Sequence, residues 1–214
     1  MARQERSERT RVLLIQAAGV ELVRSGYAGT TLNRVSSRAG VTIGALTFHF
    51  PSKAALAEAV CEWGAGVTRC AVQHATQSVD SPWSGLDAVL RILTELLREE
   101  AVVRAAARLS REWTEARPRW RSSWIPTVES LVDEAWRRGS LAAGTDPEAV
   151  MELVELLTTG AEAVMVRELL EQSETGADDV RSGLPEIWRM VLPALARVPR
   201  GGKDGPGTTV APGS

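Results

Sequence analysis

The stretch AGVTIGALTFHFPSKAALAEAV, Ala39 to Val60, decides the fold. It holds a glycine turn, a very short segment tipped with aromatic residues, then Pro-Ser-Lys and an apolar-periodic run. Thr42 stands where a helix N-cap belongs, and Pro51 disfavours a helical residue in front of itself. Ser52 caps a following helix that runs to about Gln73. The pattern therefore predicts a helix of about two turns fixed at both ends. Val41, Leu46 and Phe50 have the spacing to bury, which leaves Thr42, Ile43, Gly44, Thr47, Phe48 and His49 nearer the outer face.

Upstream, Leu14, Ile15, Ala18 and Leu22 share one face of a helix from about Thr10 to Arg24, stopped by Ser25-Gly26. A second helix starts at Thr30-Thr31, turns Leu32, Val35 and Ala39 inward, and ends at Gly40. Three short helices with a tight turn before the third make a helix-turn-helix. Such a third helix fits the major groove of double-stranded DNA, and its small residues permit close approach. The alternative is a three-helix packing module with no nucleic acid. Charge separates along the chain: residues 1–53 hold eight bases and three acids, and the remainder holds 17 bases and 24 acids. A basic head on an acidic body suits a polyanion at the head, although an uneven solvated surface gives the same count.

Helices follow at about Leu86 to Glu100 after the break Asp80 to Gly85, at Val102 to Thr114, and at Ser123 to Arg138. Asp146-Pro147 opens another, running to about Gln172, and a last one covers Leu184 to Ala196. No alternating strand pattern occurs, so the fold class is all-α: an N-terminal helix-turn-helix domain with an arm (1–53), a helical ligand-binding and dimerisation domain (54–198), and a Pro/Gly-rich disordered tail (199–214). No window approaches the ~18 apolar residues of a membrane span, and the charged start lacks the apolar run of a signal peptide, so a cytoplasmic protein without a membrane partner is expected. Cys61 and Cys70, nine positions apart, are roughly 13 Å apart on one helix and cannot bridge within it. With two histidines, no Cys/His metal spacing and no Gly-rich phosphate loop, no catalytic set, metal site or cofactor is expected.

The run TRVLLIQAAGVELVRSGYAGTTLNRVSSRAGVTIGALTFHFPSKAALAEAV resembles the N-terminal domain of the TetR family of transcriptional repressors. Within that family ARQER, GALTFHFPSK and the surroundings of RWRSSW and AWRRGSL are most similar to the γ-butyrolactone receptors, which control antibiotic production in filamentous actinobacteria. Arginine supplies all bases but Lys53 and Lys203, which suits a GC-rich genome. The resemblance implies phosphate contacts from Thr31 and Thr42 and a backbone contact from Lys53. His49 is either a further phosphate contact or a packing residue beside two phenylalanines. Arg3 and Arg6 form either a flexible minor-groove arm or a solvated terminus. Those receptors usually carry lysine where Ile43 stands and tyrosine where Thr47 stands. The departures imply weaker or redirected operator binding, or a module that sequesters a ligand or pairs with a paralogue.

The acidic body then implies an inducer pocket. Trp113, Trp120, Trp124 and Trp136 cluster within 24 positions, and indoles can wall an apolar cavity while donating N–H to a carbonyl. By resemblance Trp124 is the pocket tryptophan, with core packing as its alternative. Trp113 and Trp120 are further candidates, although Trp120 and Trp136 sit among arginines as amphipathic residues do. Thr158 and Thr159 either offer a hydroxyl to a ligand or bond their own preceding turn. Leu153, Leu156, Leu157, Val164, Trp188, Val191 and Leu192 either form a homodimer interface, as the resemblance implies, or complete the core. A homodimer would read a pseudo-palindromic operator and release it on binding a γ-butyrolactone, a related furan or butenolide, or the antibiotic itself.

Overall fold

The computed structural model describes residues 2–113, 120–175 and 184–196. Among these residues the regular elements are helices: α1 (Ala2–Gly29), α2 (Leu32–Ala39), α3 (Ile43–His49), α4 (Lys53–Thr76), α5 (Pro82–Glu99), α6 (Ala101–Glu112), α7 (Ile125–Arg137), α8 (Pro147–Thr175) and α9 (Leu184–Leu195). A β-bridge pairs Leu141 with Ala196. The tail assigned to residues 199–214 and position Thr114 lie outside the described residues.

Local chemistry sets the ends of the short helices. The Thr31 hydroxyl accepts from the Arg34 amide at 3.3 Å and the Thr42 hydroxyl from the Ala45 amide at 3.1 Å. Ser52 does the same for Ala55 at 3.0 Å, so each helix start has a side chain on an otherwise orphaned N–H. Between α2 and α3, Gly40 takes φ 66°, in the left-handed region that favours glycine. Its amide bonds Ser37 O at 3.2 Å while the Val41 amide bonds Ser36 O at 3.0 Å, which reverses the chain in one residue. Val35, Leu46 and Phe50 are buried as expected, and each of the larger two contributes about 1.5–3 kcal/mol of burial. Val41 is half-buried.

Two starts differ from the sequence reading. α1 begins at Ala2 rather than near Thr10, so the segment read as either a flexible arm or a solvated terminus is helical. The segment RQERSERTR is made of helix-favouring arginine, glutamine and glutamate, and Glu5 precedes Arg9 by one turn, so local propensity continues the helix past its last buried face. The break at Gly26 is real, with φ 66° and ψ 179°, but one more helical turn follows it. α5 begins at Pro82 because Ser81 caps it, accepting from the Ser84 amide at 3.1 Å, and proline at the first position needs no N–H partner.

α6 lies between α1 and α4, and buried residues from α1 to α9 form one apolar cluster. Close approach to α4 occurs at Gly64, where a Cβ would stand 2.7 Å from Ala106 Cβ and from Val102 O. The candidate interface residues divide: Trp188 is core, Leu156 is 64% exposed, and Leu153, Leu157, Val164, Val191 and Leu192 are half-buried. Cys61 is buried and Cys70 is exposed, and neither is in a disulfide.

Candidate functional site

The outward face of the head is built from α2 and α3. Thr31, Thr42, Ile43, Gly44, Thr47 and Phe48 are exposed, Phe48 by 82%, and His49 is half-buried. The Thr31 and Thr42 oxygens accept amide bonds as caps, and each hydroxyl keeps an O–H with which to donate to an external acceptor such as a phosphate. Thr47 donates back to Gly44 O at 3.2 Å, so its oxygen faces outward as an acceptor. His49 packs edge-on to Phe48, with centroids 5.3 Å apart, and lies 6.4 Å from the Phe50 ring. Arg6 is exposed on α1, and the Arg3 side chain lies outside the described residues.

Three basic groups of the head already have intramolecular partners. Glu21, 3% exposed, pairs with Arg38 at 2.7 Å and Arg34 at 3.3 Å, tying α2 to α1. Lys53 Nζ donates to Tyr27 O at 2.8 Å and Ala28 O at 3.3 Å, and lies 4.6 Å from the Tyr27 ring centroid. A phosphate contact by Lys53 therefore competes with carbonyls at the end of α1. The basic count of the head overstates the charge it presents.

In the body, a cavity of about 340 Å³ opens between α6, residues 120–124 and α8. Its described walls include Trp120, Trp124, Arg111, Arg121, Thr159 and Glu162. Trp124 is 1% exposed and its indole Nε1 has no hydrogen-bond partner among the described residues. Trp120 is 4% exposed, edge-on to Trp124 at 5.8 Å, and donates Nε1–H to Thr68 Oγ1 at 3.2 Å. Neither indole is a surface residue, despite the neighbouring arginines.

The other candidates separate. Thr159 reaches the cavity, whereas buried Thr158 donates to Val154 O at 2.8 Å, the bond to its own preceding turn. Trp113 is outside the described lining and stacks on Tyr27, rings 5.0 Å apart and 5° from parallel. Trp136 is 58% exposed, far from core packing.

Four charged residues at the cavity, in two pairs, were missed by sequence reasoning. Glu162 is 2% exposed at the cavity wall, with Arg111 2.6 Å away, and Arg121 pairs with Glu155 at the rim. The signal was available: Val154, Thr158 and Glu162 repeat at one-turn spacing on the buried face of α8. Burial holds the Glu162 carboxyl above the ordinary carboxylate range, opposed by Arg111 and Arg108 and assisted by Glu112. A folded value above the unfolded one means that the native state binds more protons between the two, so this group's stabilisation is present at low pH and lost as pH rises through that window. Glu162→Gln removes the loss. Relative to wild type, the variant is expected to gain stability between acid and neutral pH in urea titrations, and parallel pH profiles would contradict this.

α6 links the cavity to α1, the first helix of the head. Ala107, Ser110 and Arg111 line the cavity, and Arg108, Glu112 and Trp113 on the same segment hold α1. Arg108 donates to Val23 O and pairs with Glu112 at 2.5 Å, and Glu112 accepts from the Tyr27 amide at 3.1 Å. The Tyr27 carbonyl in turn holds Lys53.

Residues 14–60 match the family described as bacterial regulatory proteins, tetR family. The chain is 28% identical over 200 residues to the A-factor receptor protein of Streptomyces griseus, covering 92% of this chain and 67% of that one. A solved γ-butyrolactone receptor, an ArpA-like protein, is 26% identical, with a TM-score of 0.68 and 90% of each chain covered. The TetR family protein CprB of Streptomyces coelicolor, solved with its biological operator sequence, is 25% identical at a TM-score of 0.66, covering 90% of this chain and 91% of that one. Among the described residues no helix is long and apolar enough to cross a membrane.

Proposed function

On the premise that this chain is a TetR-family regulator of the γ-butyrolactone-receptor type, we propose that it is a homodimeric transcriptional repressor released from DNA by a small lactone-like signal. Residues 1–53 are the DNA-binding domain and 54–198 the ligand and dimer domain. It acts in the cytoplasm without enzymatic activity, on genes for a secondary metabolite such as an antibiotic. The observation that carries the reading is that α6, which lines the tryptophan-walled cavity, packs on α1 of the head that presents the exposed two-turn helix α3.

Each part has a role in this scheme. Thr31, Thr42 and His49 meet phosphates, with Arg3, Arg6 and Lys53 as further backbone contacts, while Ile43, Gly44, Thr47 and Phe48 face base edges. Ile43 and Phe48 are suited to thymine methyl groups rather than to polar base edges. Leu156, Ile187 and Met190, exposed by 64%, 46% and 78% on α8 and α9, offer the apolar surface for a second copy, which sets the spacing of two half-sites. In the cavity Trp124 donates to the lactone carbonyl, and Trp120 and Thr159 border it. Release requires that the lactone bind the DNA-incompetent arrangement of α6 better than the competent one.

A mobility-shift titration against the DNA upstream of its own gene, at two salt concentrations, tests this. A shift that weakens steeply with salt is expected from phosphate contacts, and an α-acyl-γ-butyrolactone should abolish it. If only the Ile43→Lys plus Thr47→Tyr variant shifts DNA, the wild-type chain is a ligand-sequestering or pairing module instead.

A further inference from the structure

Between Ile43 and His49, α3 has no arginine, lysine, asparagine or glutamine. Bidentate reading of a purine edge needs one of those side chains. Three guanidinium groups of the head are engaged within it: Arg34 and Arg38 pair with buried Glu21, and Arg11 lies 5.6 Å from the centroid of the Phe50 ring. What α3 turns outward is apolar, with Ile43 43% and Phe48 82% exposed, except for the Thr47 hydroxyl. Ile43 and Thr47 stand one turn apart and so share a face. The Thr47 proton is donated to Gly44 O at 3.2 Å, which leaves the oxygen as an outward acceptor. Gly44, between them, keeps that face open. A Cβ there would meet only Thr42 Oγ1, at 4.0 Å, among the described residues, so packing within the protein does not call for glycine.

Each of these groups selects a partner in the major groove by complement. An apolar side chain gains from the C5-methyl group of thymine. An outward lone pair gains from the exocyclic amino group of adenine or cytosine, and is opposed by the O6 and N7 acceptors of guanine and the O4 of thymine. We propose, resting on the reading of this chain as an operator-binding protein, that α3 reads its half-site as pyrimidine methyl groups at Ile43 and Phe48 and an exocyclic amino group at Thr47. The methyl group is the whole of the signal at Ile43, which has no polar atom with which to tell thymine O4 from cytosine N4. A 5-methylcytosine therefore satisfies that contact as thymine does, and C5-methylation of a cytosine at that position strengthens binding.

The test uses the full chain to select a duplex from a randomised library, with affinities then measured by fluorescence anisotropy. Replacing one thymine at a time by deoxyuridine removes only the C5-methyl group. It is expected to weaken binding about fourfold at one or two positions in each half-site, the transfer value of one methyl-sized group. Ile43→Ala should abolish that loss at one position and Phe48→Ala at another. At the position assigned to Ile43, cytosine should bind more weakly than thymine, and 5-methylcytosine should recover at least about threefold of the difference. Thr47→Val keeps the shape without the hydroxyl. It should remove a wild-type preference of at least about threefold for adenine or cytosine over the same base lacking its amino group. A selected half-site without thymine, deoxyuridine tolerated at every position, or losses that persist in both Ile43→Ala and Phe48→Ala overturn the methyl reading while operator binding stands. An undiminished amino preference in Thr47→Val overturns the role given to Thr47. A library that yields no selected duplex overturns operator binding and this proposal together.

Discussion

Leu46→Ala is expected to cost about 2–5 kcal/mol of stability and to abolish specific DNA binding. Leu46 is the buried residue within α3, fully shielded from solvent beside Val35 and Phe50 in the head's part of the core. A helix of seven residues has too few internal bonds to persist in water, so its geometry depends on this contact. Alanine has a better helix propensity than leucine, which assigns any loss to packing. Urea denaturation followed by circular dichroism measures the stability change, and a fall below about 1 kcal/mol would mean that α3 is not docked through Leu46. Thr47→Ala is the companion variant. It removes an exposed hydroxyl bonded to Gly44 O and should change stability by less than about 0.5 kcal/mol.

The head was legible because its determinants are local. Thr31, Thr42 and Ser52 each cap an amide three residues ahead, Gly40 reverses the chain within its own turn, and Pro51 stops α3 from the next position but one. The N-terminal extension of α1 was not, because residues 2–10 lack the apolar face from which a helix is read and continue by propensity alone. Nor did charge counting reveal Glu21. A buried acid on α1 meets Arg34 and Arg38 on α2 only after the turn at residues 30–31 brings the two helices together.

The body was harder because its determinants are contacts between distant segments. Four tryptophans near one another in sequence occupy three environments: Trp120 and Trp124 wall the cavity, Trp113 stacks on Tyr27 of α1, and Trp136 is exposed. Adjacency in sequence does not state which face of a helix a ring takes. Glu162 and Arg111 are 51 positions apart, and only the packing of α8 on α6 makes their pair. The same packing explains why Thr159 reaches the cavity while Thr158 turns inward, since neighbours on a helix point about 100° apart.

Replacing Arg108 by methionine together with Glu112 by glutamine is expected to leave lactone binding and DNA binding in place but to disconnect them. Neither residue is in the described cavity lining or on the outward face of the head. Their work is to fix α6 to α1, through Val23 O and the Tyr27 amide, at the point where Tyr27 holds Lys53. Under the proposed function, a ligand that displaced Arg111 or Ser110 would move the same helix, and these bonds would carry that displacement to the base of the head. Couplings of this kind typically amount to 5–150-fold in affinity. In the double variant the lactone should change operator affinity by less than about threefold. Lactone affinity in the absence of DNA should shift only modestly, since Arg108 and Glu112 act on Glu162 electrostatically with opposite signs. Reciprocity supplies the independent check: in wild type, operator DNA must weaken lactone binding by the factor with which lactone weakens operator binding, and in the variant both factors must collapse together. Undiminished release would show that the signal leaves α6 through packing rather than these bonds, either on α1, tight at Gly19 against Val102, or on α4, tight at Gly64.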